Sequence, residues 1–207
     1  MNEAPDPRSQ AHRDYVARRE MTLEERLAEE RILFLWGAIT PNAAGGVIMR
    51  LLELQAKQPS RDINLYINSP GGSVDDTLAV YDTMQFLTCD VATYCVGQAA
   101  SGAALILAAG ATGKRYCLPH SKIMIHQPWG GVTGQATDIQ IQAEEILKAK
   151  RLLNELLAHH TKRDVKLIEQ ETERDRYLSP EEAKEYGIVD EIVSQTPDEK
   201  SAKKGKK

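Results

Sequence analysis

The sequence predicts an α/β protein in which helices pack on a largely parallel β-sheet. Apolar runs typical of strands lie at residues 32–36, 63–67 and 91–96, and segments with a helical apolar period lie between them. Parallel strands need crossover connections, so this alternation favours right-handed βαβ units. With 207 residues and 42% hydrophobic content the chain can bury one substantial core, and we expect one globular domain.

Local end signals place the helices of the first half. Thr22 and Glu25 form the pattern of a capping box, in which the hydroxyl accepts a helical N–H and the carboxylate reaches back to the cap. A helix is predicted over about 43–57, where apolar residues recur at helical spacing. The Pro70-Gly71-Gly72 segment ends the preceding strand, and a second helix with apolar residues follows it.

The second half repeats the theme with one long helix. We predict a strand at 122–126, a helix over 137–160, a short helix from Ser179-Pro180 to a C-capping Gly187, and a last strand at 188–193. The long helix carries apolar residues on more than one face, whereas a helix that packs only on its own domain usually shows one stripe. Periodicity alone leaves open a core helix or a helix that contacts another chain.

Composition argues against several classes of protein. The net charge of −4 and the pI near 5.8 do not suit a general nucleic-acid binder, which usually carries a basic face. The first 20 residues lack the apolar stretch of a secretory signal, and the longest apolar run, 103–109, is too short to span a membrane. Three cysteines without a CxxC pair favour free thiols in a reducing compartment, and the Cys117 and His120 pair is a poor metal signal. We expect a soluble, cytoplasmic protein without a metal site.

The two ends of the chain differ from its middle. Residues 1–20 are charged and polar, and we expect a flexible segment there. The residues 195–207 form a basic tail that we expect to be disordered. The folded domain is therefore placed at residues 21–194.

A hydroxyl, an imidazole and a carboxylate in the order Ser101, His126, Asp175 could form a nucleophilic triad. Ser101 lies among small residues at the predicted start of an apolar helix, where free N–H groups could stabilise an oxyanion. It could equally be a helix N-cap, and His126, on an apolar strand, could be a satisfied core residue. The residues alone leave both interpretations open.

Seven segments of the chain are long and distinctive enough to indicate a family. They are Tyr66–Gly72, Tyr81–Phe86, Gly97–Ser101, Lys114–Pro119, Met124–Pro128, Gly134–Ile139 and Thr172–Ser179. Together they resemble the ClpP family, the proteolytic subunits of ATP-dependent Clp proteases, over residues from about 31 to about 193. The resemblance implies a ClpP/crotonase-like fold, a repeated β-β-α superhelix with a protruding handle helix at about 135–160.

The resemblance also implies an activity and its residues. It implies a serine endopeptidase that cleaves unfolded proteins and peptides inside a ring chamber, with Ser101 as nucleophile, His126 as general base and acid, and Asp175 orienting the imidazole. The oxyanion donors would be the N–H groups of Gly72 and Gly102, the latter standing where the family often has methionine. The implied substrate-binding residues are Gly71, Val74, Pro128, Trp129 and Gly130. The G-x-S-x-G elbow of α/β-hydrolases does not fit, because alanines stand at positions 99 and 103.

Assembly and partners follow from the same resemblance. It implies a homo-oligomer of two stacked heptameric rings, with Gln135, Asp138 and Arg174 at the ring-to-ring interface. An AAA+ Clp unfoldase would dock at Tyr66, Tyr81 and Phe86. The chain would need no cofactor, since the unfoldase uses the ATP, and it would bind neither nucleic acid nor membrane. The charged residues 1–30 replace the apolar, glycine-containing opening usual in relatives, so we expect docking to persist with altered gating.

Two alternatives belong to other classes of protein. The fold also resembles the crotonases, in which two backbone N–H groups hold a thioester enolate, and a coenzyme A enzyme would not need Ser101, His126 and Asp175 together. A regulatory or structural ring subunit would be favoured by the loss of a triad residue, and all three are present.

Overall fold

The computed structural model describes residues 21–195, which form an α/β fold as the sequence predicts. The first elements are α1 (Leu23–Glu29), β1 (Ile32–Trp36), α2 (Pro41–Lys57), β2 (Ile63–Ser69), α3 (Val74–Phe86), β3 (Val91–Ala100) and α4 (Gly102–Ala108). The chain continues through β4 (Arg115–Cys117), β5 (Lys122–Ile125), α5 (Ala136–Thr161), α6 (Val165–Glu171), β6 (Arg176–Leu178), α7 (Pro180–Tyr186) and β7 (Glu191–Ile192).

The sheet branches at its longest strand. Its main path runs β1-β2-β3-β4-β7, with every neighbouring pair parallel. The first half of β3 pairs with β4, and its second half pairs in parallel with β5. Strand β6 then runs antiparallel to β5. The second half of β3 therefore lies between β2 and β5, and the candidate site lies at the carboxyl ends of these three strands.

The two faces of the sheet differ in character. Strand β2 alternates between fully and partly buried residues, which is the pattern of a sheet covered on one face. The core face carries Leu33, Leu35 and the Ile63, Leu65, Ile67 series. A row of aromatic rings lies along the other, comprising Trp36, Phe34, Tyr66, Tyr94 and Tyr116.

Most of the predicted elements are confirmed, with shifted ends. The Thr22–Glu25 capping box is present, and Gly187 is the left-handed C-cap of α7. Helix α2 begins at Pro41 rather than Ala43, because Thr40 caps it and proline suits the first helical turn. The last strand is only Glu191–Ile192, shorter than predicted. The predictions for residues 1–20 and for the tail beyond residue 195 lie outside the described residues.

The long helix α5 projects from the rest of the domain over its first half. Residues 136–145 are all exposed, whereas Leu157 and Ala158 near the other end are buried against the core. Ile139, Ile141, Leu147 and Leu152 are exposed apolar side chains along it. Within residues 21–195, no helix combines the length and the apolarity needed to span a bilayer.

A buried arginine anchors the inner end of α5. Arg115 pairs through Nη2 and Nε with Asp190 at 2.6 and 2.9 Å, and its Nη1 donates to the carbonyls of Ala108, His160 and Gly187. A single side chain thus ties α4, α5 and the end of α7 together. The pairing, together with backbone donors, holds the pKa of Asp190 below its usual range despite its burial.

His160, beside this anchor, makes the fold sensitive to acid. Its Nε2 lies 2.9 Å from the Tyr81 hydroxyl, and burial, with nearby His159 and Arg115, lowers the pKa of His160 to about 4. In the unfolded chain the imidazole binds a proton near pH 6.5, whereas in the folded protein it does so only near pH 4. The stabilisation that depends on neutral His160 is therefore complete above pH 6.5 and is lost as the pH falls towards about 4.

His160→Gln should therefore flatten the acid limb of the stability profile. Since the side chain is partly exposed, we expect a wild-type loss on the order of 2 kcal/mol that the variant lacks. Urea midpoints measured between pH 7 and 4 would show this, with His120→Gln in an exposed turn as the control. Parallel profiles for wild type and His160→Gln would contradict the assignment.

Candidate active site

Strand register brings the predicted catalytic side chains to one edge of the sheet. In the parallel strands, Ser69 of β2 pairs with Ala99 of β3, and Ala100 pairs with Met124 of β5. The glycine turn follows Ser69 on β2, and Ser101 follows Ala100 on β3. His126 comes two residues after Met124 on β5. The antiparallel pairing of Ile125 with Arg176 sets the preceding Asp175 opposite His126. Ligands of open α/β sheets bind at such carboxyl ends.

The three side chains form a continuous hydrogen-bonded chain. The Ser101 Oγ lies 2.9 Å from His126 Nε2, and His126 Nδ1 lies 3.1 Å from Asp175 Oδ1. With its proton on Nδ1, the imidazole donates to Asp175 and accepts from the serine hydroxyl. The His126 side chain is 22% exposed and that of Asp175 56%. The imidazole is therefore held from both sides and open to a substrate.

Ser101 has an unusual backbone conformation that aims its hydroxyl away from the helix. Its φ is 58° and its ψ −126°, a strained combination for a residue with a Cβ. The Ser101 N–H donates to the Met124 carbonyl at 2.8 Å, which fixes the turn. The side chain makes no capping hydrogen bond to α4. Ser101 therefore occupies the N-cap position of α4 without capping it through its hydroxyl, which lies within hydrogen-bond distance of His126 instead.

Two glycines let the neighbouring turn pack more closely than any other residue could, Gly71 against Ser101 and Gly72 against Ile39. At Gly71, with φ 89°, an added Cβ would lie 2.6 Å from Ala100 O and 2.7 Å from Ser101 Cβ. At Gly72 it would lie 2.1 Å from Ile39 O. Ile39 holds the turn by donating to Gly71 O and accepting from Ser73 N, at 2.9 and 3.0 Å. The turn is therefore fixed in place, with its backbone facing the serine.

The walls of one cavity of about 210 Å³ include both predicted oxyanion donors, Gly72 and Gly102, beside Ser101 and His126. Gly102 is the first residue of α4, so its N–H has no acceptor within that helix.

Of the predicted substrate-binding residues, Val74, Pro128 and Trp129 line the cavity, and Trp129 is 92% exposed at its rim. Gly71 abuts Ser101 instead, and Gly130 lies towards Ile146 of α5.

Sequence reasoning missed the far wall of this cavity. Leu153, Asn154 and Leu157 of α5 and Thr172 after α6 line it. The Thr172 hydroxyl contacts Asn154 Oδ1 at 3.1 Å, while no acceptor among residues 21–195 lies within reach of the buried Asn154 Nδ2. The two leucines belong to the predicted apolar faces of the long helix. No signal in the sequence indicated that this helix end would face the serine.

The remaining predicted residues lie on other parts of the surface. Gln135 is the N-cap residue of α5, Asp138 lies in its first turn, and Arg174 is exposed next to Asp175. Tyr66 stands in the aromatic row, and Phe86 is exposed at the end of α3.

Tyr81 requires a correction. Its ring is buried and its hydroxyl contacts His160, so in this structure it is not available for docking a partner.

No group of three or more histidine, cysteine or acidic side chains in the described part of the chain is placed to hold a metal ion. The arrangement at Ser101 suits nucleophilic catalysis. Its hydroxyl lies within hydrogen-bond distance of an imidazole that also contacts a carboxylate, and Gly72 and Gly102 line the same cavity.

Comparison with known proteins agrees with this chemistry. Residues 16–196 match the sequence model of the family described as Clp protease. The chain is 51% identical over 187 residues to the ATP-dependent Clp protease proteolytic subunit 1 of Rhodopirellula baltica. That alignment covers 90% of this chain and 82% of the relative.

Proposed function

The chain belongs to the Clp protease family, a family of serine peptidases, and from this premise we propose that Ser101, His126 and Asp175 hydrolyse peptide bonds. The observation that carries the assignment is the unbroken chain of contacts from Ser101 Oγ through the imidazole to Asp175, at 2.9 and 3.1 Å. It is the geometry that an acyl-enzyme mechanism requires.

The reaction follows from this geometry in two halves. Ser101 Oγ attacks the scissile carbonyl carbon while His126 Nε2 takes its proton, and the carbonyl π electrons move to the oxygen. The imidazolium, stabilised by Asp175, then protonates the leaving amine as the C–N bond breaks and the ester forms. A water, deprotonated by His126, attacks the ester, and its breakdown returns the proton to Ser101. Gly72 and Gly102 N–H groups stabilise the oxyanion in both halves.

We propose that the substrate is an extended polypeptide. The segment Pro128-Trp129-Gly130 follows β5 after two further residues and can pair with a substrate main chain, as in β-strand addition. The cavity beyond Ser101, with Val74, Leu105, Leu153 and Leu157 in its walls, would take an apolar side chain next to the scissile bond. Main-chain pairing ignores most side chains, which suits the cleavage of unfolded proteins of many sequences.

We also propose an assembly and a partner. The relative is named a subunit of an ATP-dependent protease, and by analogy this chain would form two stacked heptameric rings and receive substrates from an AAA+ unfoldase that uses the ATP. The exposed apolar side chains on the projecting half of α5, with Gln135, Asp138 and Arg174, support a ring-to-ring contact. The aromatic row containing Tyr66 on one face of the sheet, and the exposed Phe86 at the end of α3, support docking of this partner.

The activity is tested by hydrolysis of short fluorogenic peptides by the purified protein without ATP or unfoldase. We expect serine-dependent cleavage, because the proposed hydrolysis uses neither ATP nor an unfoldase. Calorimetry with an acyl-coenzyme A tests the crotonase alternative in the same preparation. Acyl-coenzyme A binding without peptide cleavage would overturn the proposal.

Arg174→Ala should weaken the assembly and the peptidase activity together. Arg174 is exposed beside Asp175, so a change at a ring contact would reach the orienting carboxylate directly. We expect sedimentation velocity to show smaller species, with peptide hydrolysis lowered roughly 10-fold since only positioning is lost. Arg61→Ala, an exposed arginine after α2 and away from α5, is the control. A fully active wild-type monomer would contradict the assembly.

A further inference from the structure

One buried threonine joins the two segments that carry the oxyanion donors. Thr77, in the first half of α3, is 1% exposed and lines the cavity. Its Oγ1 donates to the carbonyl of Ser73 at 2.8 Å, and Ser73 follows Gly72 directly. Its side chain also packs against Gly102, the residue after the nucleophile.

The contact with Gly102 is close enough to dictate the residue there. A Cβ added to Gly102 would lie 2.3 Å from Thr77 Oγ1 and 2.9 Å from its Cγ2. Real Cβ atoms do not approach so closely, and Thr77 cannot turn away without breaking its bond to Ser73. Thr77 therefore leaves room only for glycine at position 102.

We propose that Thr77 is a positioning residue that sets the separation of the Gly72 and Gly102 N–H groups. The Thr77 hydroxyl fixes the position of Gly72 through its bond to the neighbouring Ser73. The Thr77 side chain packs against Gly102 and fixes its position in turn. This inference rests on the proposed function, since it assigns Thr77 a role in stabilising the oxyanion.

The opposite side of each donor segment is already fixed, which makes Thr77 the spacer between them. Ile39 brackets the glycine turn through its bonds to Gly71 O and Ser73 N. The Met124 carbonyl holds the N–H of Ser101 on the other segment. A change at Thr77 thus moves the two N–H groups relative to one another while leaving their outer anchors in place.

A displaced oxyanion donor acts on the transition state and little on substrate binding. Removing one such donor costs about 10²–10³ in kcat, so displacing one should cost less, roughly 10-fold. The loss should appear in kcat with KM within about 2-fold. The affinity for a peptide boronate, whose tetrahedral adduct resembles the transition state, should fall by the same factor as kcat/KM.

The experiment compares three substitutions at position 77 in the full-length protein. Thr77→Ser keeps the bond to Ser73 and should stay within about 3-fold of wild type. Thr77→Val keeps the bulk but loses the bond, and Thr77→Ala loses both; we expect kcat to fall about 10-fold and about 30-fold. Each variant is measured for kcat, KM, boronate affinity and thermal unfolding.

Thr83 supplies a matched control. It lies on the same helix and its hydroxyl makes the same bond, to Ala79 O at 2.8 Å, but it is only half-buried and lies outside the cavity. The same three substitutions at Thr83 should leave kcat and boronate affinity unchanged. A purely structural role for Thr77 would lower the melting temperature without changing the ratio of boronate to substrate affinity.

A second measurement decides the case if Thr77→Ala does not fold. Gly102→Ala should lose activity by collision with Thr77, and adding Thr77→Gly, which removes the collision but also the spacer, should raise kcat again to roughly a thirtieth of the wild-type value. Wild-type kcat in Thr77→Val, or no recovery in the double variant, would overturn the inference. If the wild type itself shows no serine-dependent hydrolysis, the proposed function fails instead, and this inference with it.

Discussion

Ser101→Ala is expected to lower peptide hydrolysis about 10⁴-fold or more while leaving the fold and the assembly intact. The substitution removes only Oγ, the atom that attacks the substrate and contacts His126 at 2.9 Å. In comparable sites the loss of one triad member costs nearly as much as the loss of all, because the residues act as a unit. The measurement is kcat/KM on a short peptide, with circular dichroism and sedimentation alongside.

The control is Ser60→Ala, an exposed serine after α2, which should match the wild type in every assay. Hydrolysis by purified Ser101→Ala at the wild-type rate would show that another residue is the nucleophile. A loss of activity accompanied by dissociation would show only that Ser101 is structural.

Gly72→Ala is expected to lower kcat/KM about 10²-fold or more. The added Cβ would clash with the backbone, because it would lie 2.1 Å from Ile39 O. Ile39 cannot move away freely, since its N–H and its carbonyl are both hydrogen-bonded. The turn must then move, and the Gly72 N–H moves with it. Removing one oxyanion donor costs about 10²–10³ in kcat.

The matched control is the same substitution where the space is open. An added Cβ at Gly46, inside α2, meets nothing within 4 Å, and alanine is the better helix former by about 1 kcal/mol. Gly46→Ala should therefore keep full activity with equal or higher stability. Full activity in Gly72→Ala would contradict the role assigned to the turn.

The sequence predicted the parts of the fold that have strong local signals. The strands β1, β2 and β3 are apolar runs, and the helices between them have capping residues and a helical apolar period. The order of these elements could therefore be predicted. The β4 and β6 strands have three residues each, and α6 has seven, which is too short for a periodic pattern. Their pairing depends on partners distant in sequence, and it is the pairing of β6 that sets Asp175 opposite His126.

The site shows the same division. The chemistry of Ser101, His126 and Asp175 could be read from residue types within recognisable segments, and the structure brings the three together. The register of the strands that carry these residues could not be predicted, because it depends on the branch of the sheet at β3. Asn154 and Thr77 gave no signal, since their importance lies only in what they contact. Tyr81 was misplaced because an aromatic residue on a helix does not reveal which face is buried.

The central claim is that Ser101 is an activated nucleophile, and a fluorophosphonate probe tests it most directly. Its phosphorus would be attacked by Ser101 Oγ with loss of fluoride, so intact-mass and peptide analysis should find one adduct per chain, on Ser101. His126→Ala should slow the labelling about 10²-fold or more, since the hydroxyl would lose its base. No adduct on the assembled wild type, or an adduct on another residue that persists in Ser101→Ala, would contradict the account.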